Sequence, residues 1–160
     1  MRTAVALVLF FLMALAFCLT QHSVLFRWTF LGAQPDLLAL LALGVALRSG
    51  PAVGASAGFF CGALRGWAAG AGLTAAAASL ALVGFAAGYL SRFEVKPTSL
   101  VIGALVAVGT LVARFLALLV APPSDIPSYL TATIGSAIMN GVLAVPLDAV
   151  WKRLIGEAVD

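Results

Sequence analysis

Six stretches of this chain, about residues 3–21, 36–48, 51–66, 73–90, 99–121 and 130–151, are so nearly free of charge that little sequence remains to make a water-facing surface. A chain that is 63% hydrophobic and 9% charged, with a mean hydropathy of +1.14, is suited to a solvent other than water. It reads as an all-α, polytopic membrane protein: six transmembrane helices in a compact bundle, one integral membrane domain over 1–160. The formal charge of +3 comes from nine basic and six acidic residues. So sparse a set orients a protein in a bilayer and does not make a nucleic-acid surface.

The second and third stretches are short. At 1.5 Å per residue they reach roughly 20 and 24 Å, less than the roughly 30 Å of a hydrocarbon core. They form two short spans, or one re-entrant hairpin turning at Ser49-Gly50-Pro51, where Pro51 suits the first turn of a helix. The positive charges decide between the two. With a cytoplasmic N-terminus and both segments crossing, Arg2, Arg48, Arg92, Lys96, Lys152 and Arg153 face inward, only Arg27 and Arg65 face outward, and Arg114 lies within a span. A single crossing would put Arg92, Lys96, Lys152 and Arg153 outside. Six crossings with both termini cytoplasmic satisfy the positive-inside rule. Trp28 and Trp67 then fall at the outer interface and Trp151 at the inner one, where indole rings anchor. The external loop of about residues 22–35 carries His22, and Pro122, Pro123 and Pro127 stiffen the outer turn before the last span. Arg2 and the apolar run 4–19, with Ala14-Leu15-Ala16, resemble a signal peptide. With one arginine before a long apolar run and five more segments behind it, a retained first span is the expectation.

Glycines at 50, 54, 58, 62, 66 and 70 follow a spacing of four. Residues four apart share a helix face, drifting about 40° per step, and small residues there let another backbone approach closely. Gly54, Gly58 and Gly62 lie securely within one apolar segment, and Gly84 and Gly88 make a similar face on the next. Such a face packs inside the protein's own bundle or receives a partner helix, and spacing alone does not choose.

Arg114 is the charge deepest in any span, with Asp36 and Asp125 as counter-ions in the same outer half. It is a structural ion pair, a side chain snorkelling outward, or a ligand contact. Asp148 sits four residues before Lys152, a spacing that forms an ion pair on a helix. Asn140, midway along the last span, is placed to hydrogen-bond across helices, and Pro146 to bend that helix. Cys18 and Cys61 lie in apolar segments and read as small core residues. His22 is the lone histidine, so no metal spacing exists and no cofactor is expected. No Ser/His/Asp or Cys/His constellation, paired intramembrane carboxylates or phosphate-binding loop is present, and the expectation is a non-enzyme.

Several stretches together resemble the bacterial rod-shape-determining MreD family. These are Pro35-Asp36-Leu37-Leu38, Leu47-Arg48-Ser49-Gly50-Pro51, Gly58-Phe59-Phe60-Cys61-Gly62-Ala63-Leu64, Gly72-Leu73, the run Leu82 to Leu90 (LVGFAAGYL), and Asn140 six residues before Pro146-Leu147. Length, span number and the short second and third helices agree, so the resemblance covers nearly the whole chain. One departure stands out: where the family commonly carries an aspartate, near position 66, this chain has Arg65-Gly66. The resemblance implies a non-enzymatic scaffold of the peptidoglycan elongation machinery in the bacterial inner membrane. It implies binding to an MreC-like bitopic protein and, through it, to RodA and a class B penicillin-binding protein, with coupling to MreB. It also implies an architecture similar to the S-components of energy-coupling-factor transporters. The faces Gly54, Gly58, Gly62 and Gly84, Gly88 are then candidates to receive the MreC helix. Asp36, Arg65 and Arg114 are candidate outer-side contacts to a ligand or partner. The competing reading is a transporter subunit that captures a small solute through those same outer polar groups.

Overall fold

The computed structural model describes the backbone of residues 2–23, 29, 32–70, 72–90, 92 and 98–156, and side chains within 7–149 of that set except His22. The side chains of Arg2, His22, Trp151, Lys152 and Arg153, and the whole of Arg27, Trp28 and Lys96, lie outside the described residues, and with them much of the charge count used above. Among the described residues there are six helices and no strand: α1 (Arg2–Ser23), α2 (Leu37–Ser49), α3 (Pro51–Ala68), α4 (Leu73–Leu90), α5 (Ser99–Val120) and α6 (Ile126–Gly156). Three are long and apolar enough to cross a membrane: α4, α5 and α6 as far as Ala149. α2 is apolar but short, and α3, diluted by its glycines and Arg65, does not join them.

The shortest helix holds the centre. α2 touches each of the other five, while among the described residues α1 and α6 make no contact with each other, so α1, α3, α4, α5 and α6 form an open arc around it. Its sequence accounts for this position. Leu38 to Leu43 are buried without a break, as a helix apolar on every side must be when it is surrounded. The outside of the bundle is apolar too: Phe59, Leu82, Leu100, Val108, Leu119 and Val142 are exposed, while Asp36, Thr110, Ser136, Asn140 and Asp148 are buried. A water-soluble domain rarely exposes so much apolar surface, and polar-in, apolar-out is the arrangement a bilayer selects.

The most extensive contact in the bundle is α3 against α4, antiparallel. A Cβ at Gly58 would run into the Leu80 carbonyl, standing 2.8 Å from its carbon and 3.0 Å from Ala81 Cα. One at Gly62 would meet the Ala76 carbonyl, one at Gly84 the Gly54 carbonyl, and one at Gly88 the Gly50 carbonyl. The two glycine faces therefore fill each other. Gly54, Gly58 and Gly62, with Gly84 and Gly88, are not open to a partner helix, and the expectation that they receive one is corrected: hydrogen in place of a side chain lets the two backbones touch. At the α2–α3 turn Gly50 has φ 87°, a conformation that favours glycine, and Pro51 begins α3.

Two further differences from the sequence reading have physical causes. α6 starts at Ile126 and not near 130, because Asp125 caps it, its Oδ1 accepting the Ser128 N–H at 3.2 Å. Pro127 thereby falls in the first helical turn, where it lacks only an N–H the helix does not use. Hydrogen bonds from the Ser128 side chain and backbone hold the exposed Asp125 carboxyl below the usual carboxylate range, so it caps as an anion. The second difference is the approach to α2: Ala33 and Pro35, within the stretch read as an external loop, are buried in the bundle.

Candidate functional site

Three helices, α3, α5 and α6, converge on the N-terminus of α2. Asp36 is its cap: Oδ1 accepts the Ala39 N–H at 3.1 Å. Its other oxygen accepts a hydrogen bond from Arg65 Nη1 of α3 at 2.6 Å, and Arg114 Nη2 of α5 stands 3.7 Å from that same oxygen. The structure thus brings together the three outer-side residues singled out from sequence. Asp36, not Asp125, is the counter-ion of Arg114, since Asp125 is engaged in capping α6.

Asn140 holds the same residue by its backbone. Its Oδ1 accepts the Asp36 N–H at 2.9 Å, and its Nδ2 donates to the Asp36 carbonyl at 3.0 Å and to Thr110 Oγ1 at 3.1 Å. The carboxamide imitates a peptide group: it answers the Asp36 N–H, which the helical ladder leaves over, and shares the Asp36 carbonyl with the Leu40 N–H. One turn earlier on α6, Ser136 Oγ donates to the Gln34 carbonyl at 2.7 Å. Non-helical backbone buried in a bundle persists only when its polar groups find such partners. Tyr129, at the start of the same α6 face, donates its hydroxyl to the Arg114 carbonyl at 2.9 Å.

Sequence reasoning found Asp36, Arg65, Arg114 and Asn140 but missed Thr110, Tyr129 and Ser136. The signal was present: Tyr129, Thr133, Ser136 and Asn140 recur at intervals of four, three and four along an otherwise apolar helix, one face by helical period.

A second polar group lies at the opposite end of α2. Asp148 pairs with Arg48 of α2 and accepts the Ser99 hydroxyl of α5 at 2.7 Å, while Arg48 also donates to the Gly44 carbonyl at 2.9 Å. The carboxylate therefore fastens α6 to α2 and α5. The within-helix pairing to Lys152 expected from spacing lies outside the described residues. Beside it is a cavity of about 20 Å³ bordered by Phe17, Gly44, Arg48, Val106, Leu147 and Asp148, room for one water. Both cysteines are buried free thiols in the apolar core.

Chemically, the α2 cluster can clamp and it can hold an anion. Asp36 has both oxygens occupied, Asn140 and Ser136 are engaged with backbone, and Arg65 is bound to Asp36. Arg114 Nε is buried without an acceptor. Comparison of the chain with family models, with curated proteins and with solved structures finds no match.

Proposed function

We propose that this chain is a six-crossing protein of the bacterial inner membrane, related to MreD, that works as a non-enzymatic scaffold of peptidoglycan elongation by binding an MreC-like bitopic protein. One observation carries the reading: the residues on which the resemblance rests are those that build the bundle. Asp36 caps the central helix, Ser49-Gly50-Pro51 turns it into α3, the glycines of α3 and α4 let those backbones touch, and Asn140 fastens Asp36 from α6. Motif residues with those tasks support reading the resemblance as one of architecture and not of apolar composition alone. With most of the buried polar groups engaged in joining segments, the chemistry on offer is that of holding and docking.

Because α3 and α4 fill each other's glycine faces, a partner helix would dock elsewhere. Among the described residues α1 touches only α2 and α3 and carries an unpartnered apolar side, with Leu7, Leu12, Leu15 and Leu19 exposed.

The solute-capture reading is favoured by Arg114 alone. A vitamin-sized ligand needs roughly 300 Å³ or more, and the cavity beside Arg48 and Asp148 holds a single water.

The test is a mild-detergent pull-down of the tagged chain from its native membranes, with mass spectrometry of what accompanies it. Recovery of an MreC-like protein with elongation synthases is the expected result. Recovery of an ATPase-coupled membrane subunit without them would replace the scaffold by solute capture.

A further inference from the structure

Arg114 is the one residue of the α2 cluster that the fold leaves incompletely answered. A guanidinium carries five N–H donors. Here Nη2 stands 3.7 Å from Asp36 Oδ2, beyond hydrogen-bonding distance, and Nε is buried with no acceptor. Asp36 cannot do more, because the Ala39 N–H holds one of its oxygens and Arg65 the other at 2.6 Å. One carboxylate faces two guanidiniums, so the cluster carries a surplus of one positive charge. Among the described residues the remaining carboxylates are engaged elsewhere, Asp125 with Ser128 and Asp148 with Arg48 and Ser99. A guanidinium that shares its one carboxylate with a second, closer guanidinium in an apolar surround is costly, and it is the natural place for an anion to enter.

The site is reachable. Arg65 and Arg114 keep 16% and 18% of their side-chain surface exposed. On α5, Leu111, one turn before Arg114, and Phe115, next to it, are exposed apolar residues. The entrance is thus cationic at its base with an apolar flank, which suits an anionic amphiphile with its headgroup inside and its chains along the helix. Nε is enclosed, so an anion meets the guanidinium at its terminal nitrogens, whose paired N–H groups match oxygens of a phosphate.

We infer that Arg114, with Arg65 beside it, binds one phosphate group at this end of the bundle, presented by an anionic lipid headgroup or taken up as a free ion. This depends on the bundle sitting in lipid and not on any role in elongation.

The test uses the full chain purified in neutral detergent, melted with increasing phosphatidylglycerol, diacylglycerol or sodium phosphate. Phosphatidylglycerol is expected to raise the melting temperature by about 5–10 °C at a hundredfold excess over its Kd, and diacylglycerol, which lacks the phosphate, to leave it unchanged. An equal rise with sodium phosphate would assign the site to the free ion, and no rise would assign it to the lipid; either supports the inference. Arg114→Gln should abolish the rise while melting at or above the wild-type temperature without ligand, since it removes the surplus positive charge and leaves Asp36 its bond to Arg65. Arg114→Lys, which keeps the charge and loses the fork, should weaken half-saturation about tenfold. The inference is overturned if diacylglycerol acts like phosphatidylglycerol, if no phosphate compound shifts the wild type, or if the lysine and glutamine variants respond as the wild type does.

Discussion

Replacing Gly58 by alanine adds one carbon, and its cost can be worked from the α3–α4 contact. The new Cβ would stand 2.8 Å from the Leu80 carbonyl carbon and 3.0 Å from Ala81 Cα, with the Leu80 oxygen closer still. Comfortable carbon–carbon contact is about 3.5–4.0 Å, so α4 must retreat by roughly 1 Å, and a gap of that size forfeits a quarter to a half of the attraction of each atom pair along the seam. The obstacle is backbone on both sides, and no rotamer can relieve it. Overpacking of this kind costs about 1–3 kcal/mol, here at the upper end. Removing a glycine from a helix interior returns about 1 kcal/mol. The net expectation is a loss of about 1–2 kcal/mol, or a melting temperature lower by about 2–8 °C for a chain of this length. Gly44→Ala is the control. Its Cβ would meet nothing nearer than Arg48 Nη1 at 3.9 Å, so only the helix-propensity gain remains and the melting temperature should rise by a few degrees, about 2–4 °C. Both are read by circular dichroism melts in mild detergent. If Gly58→Ala melts at or above the wild type, the account of the α3–α4 seam as backbone against backbone is wrong.

Asn140→Ala strands the buried Asp36 N–H, while the Asp36 carbonyl keeps the Leu40 N–H and the Thr110 hydroxyl keeps the Val106 carbonyl, and it should cost about 1–3 kcal/mol in the same melts; a loss under about 1 kcal/mol would mean water replaces the carboxamide. Arg48→Leu leaves Asp148 buried with a hydroxyl as its known donor and should cost about 3–5 kcal/mol, whereas Arg48→Leu with Asp148→Leu should recover most of that, and a double variant as unstable as the single one would refute the pairing argument. If α5 crosses the bilayer, cysteines placed at Ser124 and Arg92 in a background lacking Cys18 and Cys61 will react with impermeant maleimide from opposite sides of the membrane; labelling from one side only would break the six-crossing topology.

Much of the helical framework was legible because apolar runs and their punctuation are local properties. Five of the six segments read from sequence end within two residues of the helices, and Ser49-Gly50-Pro51 marks the α2–α3 turn as a positive φ and a helix-opening proline require. The start of α6 was misjudged because three prolines suggested a loop, while a capping Asp125 makes Pro127 an ordinary first-turn residue. What periodicity could not supply was the partner of each face. A glycine ridge looks alike whether a foreign helix or the next helix of the same chain covers it, and only the positions of Leu80 and Ala76 show that α4 does. Spacing offered Asp148 a neighbour in sequence, Lys152, but gave no sign of Arg48, a hundred residues away, which lies against it. The depth of Asp36 was hidden for a similar reason: its cap, Arg65 and Asn140 come from three different parts of the chain. The polar stripe of α6 could have disclosed it, since four polar residues on one face of an apolar helix need something polar to meet.

The fastening of Asp36 also sets an order in time. Its first outside partner, Arg65, follows 29 residues later in the chain, and its last, Asn140, 104 residues later. At synthesis rates of about 5–20 residues per second, the carboxylate waits roughly 2–6 s for its guanidinium, and the backbone on either side waits roughly 5–20 s for the carboxamide. Until α6 emerges, the central helix of the bundle has an unfinished end. The sixth helix is therefore the latch of the second, and a ribosome that stops before residue 140 leaves a chain with five of these helices and the end of α2 unfastened.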